Sequence, residues 1–289
     1  MIRPHFGLAK DPFSTDNLSL LPQQREVLDT LRVHCQQGGF CVIVGEPGTG
    51  KTVVKQALCQ YEPKRLIVPV VNRTLHTYHS TLRILCEAFQ IEADGVDVRC
   101  ERRLIEEARR LNAAGKMLAP VIDDAHLMDV AALRKIRLLF EDFPKNHCLV
   151  LIAQPELLSR LSLTVNEDIK SRVTYSVLLQ KLAPDTLADF IKSELDKVAL
   201  AHSTFTDDAL SLIVRSAEGG LRRAKNLCLA ALLDAVRDRT KTVDLKHVNR
   251  VLLQPHWRHY EAAFPEGASG ILEGRNGARG ATTAAGGAP

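Results

Sequence analysis

Phe40-Cys41-Val42-Ile43-Val44 runs directly into Gly45-Glu46-Pro47-Gly48-Thr49-Gly50-Lys51-Thr52, and this junction decides the fold. The first five residues are apolar and rich in β-branched side chains, as a strand buried on both faces requires. The next eight are glycine-rich and end on Lys-Thr, after which Val53 to Leu58 continues with helix-compatible residues. A buried strand feeding a glycine-rich turn that opens a helix predicts a phosphate cradle. Main-chain N–H groups of the turn point at phosphate oxygens, and the helix dipole favours the same anion. Gly45, Glu46, Pro47, Gly48, Thr49, Gly50, Lys51 and Thr52 are therefore the expected binding residues for ATP or GTP. Lys51 would neutralise the β- and γ-phosphates, and the Thr52 hydroxyl would ligate Mg²⁺. A glycine-rich loop that merely turned the chain would not need the Lys-Thr pair.

Composition bounds the rest. The chain has 289 residues, 45% of them hydrophobic, enough for a substantial core and one large or two modest domains. No apolar run approaches the ~20 residues of a membrane span, and Met1 to His5 lacks the pattern of a signal peptide, so a cytoplasmic location is expected. The seven cysteines are scattered singly with no Cys-x-x-Cys spacing, which argues against a zinc site or a disulfide framework. A formal charge of +4 permits nucleic-acid contact without demanding it.

Along the chain, Leu21 to Gln37 has helical spacing. Leu66 to Val71 reads as a buried strand, and Thr77 to Phe89 and Val98 to Ala114 read as amphipathic helices. Met117 to Ile122 is the next strand, although Pro120 cannot donate to a ladder there. Asp129 to Phe143 is helical, and Cys148 to Ala153 and Tyr175 to Leu179 complete the strands. This alternation specifies an α/β domain, a three-layer αβα arrangement on a parallel sheet. After Pro184 the pattern is helical only: Asp185 to Leu200, Thr206 to Ala217, Leu221 to Asp238 and Val243 to Leu253. Thr206 and Asp244 are placed to cap two of these helices. The expected division is an N-terminal segment over 1–20, a phosphate-loop domain over 21–183, a small all-helical domain over 184–255, and a flexible Gly/Ala-rich tail over 256–289.

A phosphate loop needs a second element, at the end of a buried strand, that holds the metal and activates water. Pro120-Val121-Ile122-Asp123-Asp124 supplies it. Asp123 would bind Mg²⁺ through water, and Asp124 is placed to polarise the attacking water. Two adjacent acids also suit a solvated turn, but the strand before them and the phosphate loop elsewhere favour catalysis. Gln154, at the end of the next strand, either orients the water or γ-phosphate or caps the helix begun by Pro155-Glu156. Arg172 is either a finger projected into a neighbouring subunit's nucleotide or a solvated surface arginine. Glu218-Gly219-Gly220-Leu221-Arg222-Arg223 sets two arginines in a first helical turn. Cations there oppose the dipole and so suggest an anionic partner.

These segments, taken in order, resemble the AAA+ ATPases and, more narrowly, the ExeA-type group, which is also similar to transposition helper ATPases of the TnsC, TniB and IstB kind. His5-Phe6-Gly7-Leu8-Ala9-Lys10-Asp11-Pro12-Phe13-Ser14 is similar to the Phe-Gly-Leu-x-x-x-Pro-Phe opening of that group. Gly45 to Thr52 resembles Walker A, and Val121 to His126 resembles Walker B. Ala153 to Leu157 resembles the Gly-Gln-Pro-Glu-Leu sensor segment. Gly219 to Cys228 resembles the lid motif, which makes Arg222 the implied sensor-2 arginine. The resemblance spans roughly residues 3 to 255 and implies an AAA+ core with a helical lid, an ATP and Mg²⁺ site, and a homo-oligomer, ring or filament, with Arg172 completing its neighbour's site.

Three departures shape the functional expectation. Asp124 stands where the group has Glu, one methylene longer, so slow hydrolysis is expected. Leu221 stands where proline is usual. The membrane-bound secretion members carry an anchor and a cell-wall-binding domain after the ATPase, and this sequence shows neither. The leading expectation is therefore an ATP-hydrolysing regulator of DNA transposition that assembles on double-stranded DNA and recruits a transposase. The alternative is an ExeA-like ATPase assisting a secretion or pilus machine. The basic residues Arg99, Arg102, Arg103, Arg109 and Arg110, and the lid group Arg237, Arg239, Lys241, Lys246 and Arg250, are candidate DNA contacts. In the first group, however, interleaved Glu101, Glu106 and Glu107 equally suit a salt-bridged solvated face. A helicase of the Asp-Glu-Ala-His kind would need a second RecA-like domain, which the all-helical remainder cannot supply.

Overall fold

The computed structural model describes residues 1–13, 19–72, 77–93 and 95–257. A short helix α1 (Ile2–Phe6) precedes α2 (Pro22–Gln37), β1 (Gly39–Gly45) and α3 (Lys51–Gln60). Then come β2 (Leu66–Ile67), β3 (Val70–Val71), α4 (Tyr78–Ala88), α5 (Asp97–Ala113), β4 (Met117–Leu118) and β5 (Val121–Ile122). The α/β part closes with α6 (Val130–Glu141), β6 (Cys148–Ala153), α7 (Glu156–Leu161), α8 (Glu167–Lys170) and β7 (Tyr175–Leu179). Four helices follow: α9 (Pro184–Asp196), α10 (Asp207–Ala217), α11 (Leu221–Arg237) and α12 (Leu245–Leu252).

The main sheet is parallel, in the order β3-β5-β6-β1-β7. Because β1 and β6 are buried on both faces, their side chains alternate between two cores. Phe40, Val42, Val44, Leu149 and Leu151 pack with α4 to α8, while Cys41, Ile43, Cys148, Val150 and Ile152 pack with α2 and α3. The result is the expected αβα layering, with β1 flanked by β6 and β7, so that the turn after Gly45 emerges at the carboxyl edge of the sheet near its middle. In α/β sheets that edge is where ligands bind.

Two expectations need correction, since neither Leu66 to Val71 nor Met117 to Ile122 is a single strand. Pro69 divides the first into β2 and β3, and Pro120 divides the second into β4 and β5, so that β2 and β4 pair in a small sheet of their own. Proline has no N–H to donate, yet the main chain stays joined across the break. Ala119 N–H donates to Ile67 O, Val121 N–H to Pro69 O, and Val150 N–H to the Pro120 carbonyl. The strand that delivers Asp123 therefore keeps its place in the sheet.

The third core is helical. It gathers Leu187, Ile191, Ile213, Leu227, Ala231 and Val248 from α9 to α12, and it also takes in Ile2 and Phe13 from the start of the chain. The N-terminal segment thus packs on the helical part, with His5 Nε2 2.8 Å from the Thr240 carbonyl oxygen. Thr206 and Asp244 cap α10 and α12 as expected. Of the tail expected over 256–289, His256 and Trp257 belong to a 3₁₀ turn over Pro255–Trp257; 258–289 lie outside the described residues, as does Ser14 of the N-terminal motif.

Candidate functional site

Residues 46–50 fold back on themselves. Thr49 donates its N–H (3.3 Å) and its hydroxyl (2.9 Å) to the Glu46 carbonyl, and Val53 N–H donates to Gly50 O at 2.9 Å. Gly48 and Gly50 sit at φ 87° and 97°, where a side chain is disfavoured. Lys51 opens α3 and bends back over the loop, donating to the Gly45 carbonyl at 2.5 Å and to that of Glu46 at 3.0 Å. Burial holds its ammonium below the ordinary lysine range. Arg222 acts in the same direction, against the opposing pull of Asp123 and Asp124.

A cavity of about 590 Å³ opens over this loop. Its polar lining comes from Gly48, Gly50, Lys51, Thr52, Asp123, Asp124, Gln154 and Arg222, and its apolar lining includes Pro12, Phe13, Leu21, Phe190, Leu221 and Leu229. The polar lining thus gathers every sequence-predicted catalytic and metal residue except Arg172, and the apolar lining is contributed by the N-terminal segment and the helical part.

Asp123 follows β5, and its N–H donates to Val71 O at 3.0 Å. Its Oδ1 accepts the Asp124 N–H at 3.0 Å and its Oδ2 accepts Lys55 Nζ at 2.6 Å. Asp124 takes a left-handed conformation at φ 51°, which Asp tolerates better than most residues. The turn that carries it is clamped by Arg160 of α7, which donates to the carbonyls of His126 (2.7 Å) and Met128 (2.8 Å). The Gln154 side chain does not cap α7. Its amide pairs with His126 Nε2 at 2.9 Å, linking the acid-bearing turn to the end of β6.

Arg172 stands apart. It lies just before β7, at the amino end of the sheet, exposed and 3.4 Å from Glu141 Oε1. Within its own chain it is at the far end of the strands from the phosphate loop. Of the two arginines opening α11, Arg222 lines the cavity, whereas Arg223 pairs with Glu218 at 3.5 Å. The lid's basic group is partly neutralised: Arg250 bonds Asp234 and Asp238, and Lys246 lies 3.5 Å from Asp244. On α5, Arg110 is held by Glu107.

The residues suit a triphosphate and its metal. Two cations, a hydroxyl and two carboxylates converge on the loop. Gln24 is buried against it, its Nε2 a donor without a partner among the described residues, and a Cβ added to Gly50 would lie 2.1 Å from that atom. Sequence reasoning missed Gln24, Lys55 and Phe13. Lys55 had a signal, since it lies one helical turn after Lys51. Gln24 and Phe13 reach the site only through tertiary packing.

Comparison with known proteins agrees with the fold. Residues 33–161 match the AAA domain family. General secretion pathway protein A of Aeromonas hydrophila is 30% identical over 246 residues, covering 81% of this chain; the chain spans 45% of that relative's length. Among solved structures, Cdc6p from Pyrobaculum aerophilum superposes with a TM-score of 0.66 at 16% identity, over 82% of this chain and 68% of that one. The ORC1 protein of Aeropyrum pernix, solved in complex with DNA, gives 0.66 at 20% identity, over 82% and 66%. The fold is that of the P-loop AAA+ ATPases. No helix among the described residues is long and apolar enough to cross a membrane.

Proposed function

We propose that this chain, with its AAA domain and its similarity to general secretion pathway protein A, is an ATP-dependent switch that hydrolyses ATP slowly. The observation that carries the reading is the convergence of Lys51, Thr52, Asp123, Asp124, Gln154 and Arg222 on one cavity. Residues 21–183 serve as the ATPase domain and 184–255 as the lid. Bound ATP supplies the phosphoanhydride to be cleaved, and Mg²⁺ would neutralise its β- and γ-oxygens. Lys51 and Arg222 bind the phosphates from the loop and the lid, Thr52 and Asp123 hold the metal, and Asp124 takes the proton of a water oriented with Gln154. The Asp124 side chain is one methylene shorter than glutamate, which supports low turnover. Arg172, exposed at the opposite end of the sheet, suits a role in a neighbouring copy's site and hence an oligomer, ring or filament. Phosphate release that is abolished by Lys51→Ala, together with ATP-dependent assembly on a sizing column, is the expected result. Absence of nucleotide binding by the wild-type chain would overturn it.

Two outputs are open to such a switch, both compatible with work in the cytoplasm. Similarity to a relative named for the general secretion pathway supports a role in assembling a secretion or pilus machine. The regulator of DNA transposition, working with double-stranded DNA and a transposase, is supported by likeness to an ORC1 structure solved with DNA and by the arginines of α5. Against it, the lid's cations are partly spent on internal pairs. Stimulation of phosphate release by random duplex DNA, with salt-sensitive binding, would favour transposition. No binding at low salt with ATP would leave the secretion reading.

A further inference from the structure

Nothing in the phosphate-loop motif, which ends at Thr52, calls for a cation at residue 55. Yet Lys55, on the same face of α3 one turn beyond Lys51, bridges the ends of two neighbouring strands. Its Nζ lies 2.6 Å from Asp123 Oδ2 and 2.8 Å from Asn72 Oδ1. Asn72 directly follows β3 and Asp123 directly follows β5, and the register pairs Val71 with Ile122, so the two acceptors stand side by side. The Lys55 and Asp123 side chains are 14% and 18% exposed, so the pair is screened far less than a surface salt bridge. Asp123 lines the nucleotide cavity, whereas Lys55 is not on its wall. With the Asp124 N–H on Oδ1, both oxygens of the expected metal-holding carboxylate are already engaged.

We propose that Lys55 is a built-in counter-cation for Asp123 that sets the Mg²⁺ requirement of the nucleotide site. This rests on the ATP reading above. The ammonium pairs with a largely buried carboxylate and holds it in place beside Asn72, offsetting the cost of leaving that charge unpaired. As Mg²⁺ approaches the same carboxylate from the cavity, the fixed positive charge behind it opposes the divalent ion. Metal then joins only at a higher concentration than the loop, Thr52 and Asp123 alone would require. Lys55 touches no phosphate and acts through Asp123, so it is a positioning residue.

The test is the binding of a fluorescent, non-hydrolysable ATP analogue, first in EDTA and then along a Mg²⁺ titration, for wild type, Lys55→Met and Lys55→Arg. Lys55→Met should lower the half-saturating Mg²⁺ concentration about tenfold, the repulsion expected of one fixed charge near a divalent ion in a watery cleft. Affinity in EDTA should change little, and Lys55→Arg should behave as wild type. An unchanged midpoint in Lys55→Met, or an arginine variant that behaves like the methionine one, overturns the proposal. If Lys55→Met does not fold, Lys55→Gln, which keeps a donor without the charge, is read the same way. Wild type that binds no analogue at all sinks the ATP reading itself, an outcome distinct from a bound analogue whose Mg²⁺ midpoint ignores residue 55.

Discussion

The main-chain N–H of Leu221 donates to the carbonyl of Gly48 at 2.9 Å, tying the first residue of α11 to the middle of the phosphate loop. A proline at 221, as the ExeA-type pattern has, could not make this bond. The departure from the pattern therefore adds a direct hydrogen bond between the lid and the loop. The next residue, Arg222, is carried over the loop by the same connection. A Cβ added to Gly48 would lie 3.3 Å from its Cβ. Loop and lid are thus in main-chain contact, and a change in one is felt by the other.

Gly48→Ala tests that contact. The alanine would have to adopt φ near 87° and crowd Arg222. The left-handed conformation alone costs about 1–2 kcal/mol of stability, and crowding of Arg222 should lower nucleotide affinity while the chain stays folded. Isothermal titration with an ATP analogue, alongside circular dichroism, checks both halves. Undiminished affinity would mean that the loop and lid adjust freely.

The lowered Lys51 value makes nucleotide binding sensitive to alkali. The neutral amine cannot pair with phosphate, and in the free protein it forms below the ordinary lysine value of 10.5. Affinity should therefore decline with rising pH before that value is reached, and Lys51→Arg should move the decline upward, because guanidinium keeps its proton. The unfolded chain keeps its proton up to the ordinary value. Between the lowered folded value and 10.5 it binds more protons than the native state, so this group makes stability rise with pH across that window. A pH series of analogue titrations on the two proteins decides it.

Much of this was legible in the chain. β1 and β6 are unbroken apolar runs, and a strand buried on both faces has no other reading. Asp123 and Gln154 could be placed because each ends such a run. The lost detail lies where contacts span long separations. Phe13 reaches the cavity by packing with helices nearly 200 residues away, which no local period encodes. Pro120 reads as a blemish in its strand, and Pro69 gives no warning at all, yet each proline keeps its place in the sheet because its own carbonyl accepts a neighbour's N–H, from Val150 and Val121 respectively. Lys55 looks like an ordinary exposed helix residue until Asn72 and Asp123 are brought beside it by strand register. The lid's arginines and lysines read as a basic patch because Asp234, Asp238 and Asp244, which pair with Arg250 and Lys246, are spread over two helices and their caps.

Arg172 should separate binding from assembly. In its own chain it pairs only loosely with Glu141, at 3.4 Å with its side chain 64% exposed, a contact worth little to stability. Arg172→Ala should keep the melting temperature and the affinity of the isolated chain for nucleotide. Phosphate release, measured per chain as concentration rises, should lose its increase, because only a neighbour's site would miss the guanidinium. Loss of nucleotide affinity in dilute protein would instead put Arg172 in the service of its own site.

Asp124 offers the sharpest test of slow turnover. It sits in the turn held by Arg160 and by the His126 and Gln154 pair, so the backbone is not free to advance the carboxylate toward the water. A longer side chain is then the direct way to shorten the gap. Asp124→Glu adds one methylene without changing the charge and should raise the rate of phosphate release several-fold, within the 10²–10⁴-fold range that a positioned general base contributes. Asp124→Asn removes the base, should cut the rate by at least about a hundredfold, and should leave ATP-dependent assemblies that persist. Single-turnover hydrolysis with sizing of the products measures both. If glutamate gave no gain while asparagine abolished activity, Asp124 would be the base at its proper reach and the slow step would lie elsewhere, in lid opening or product release.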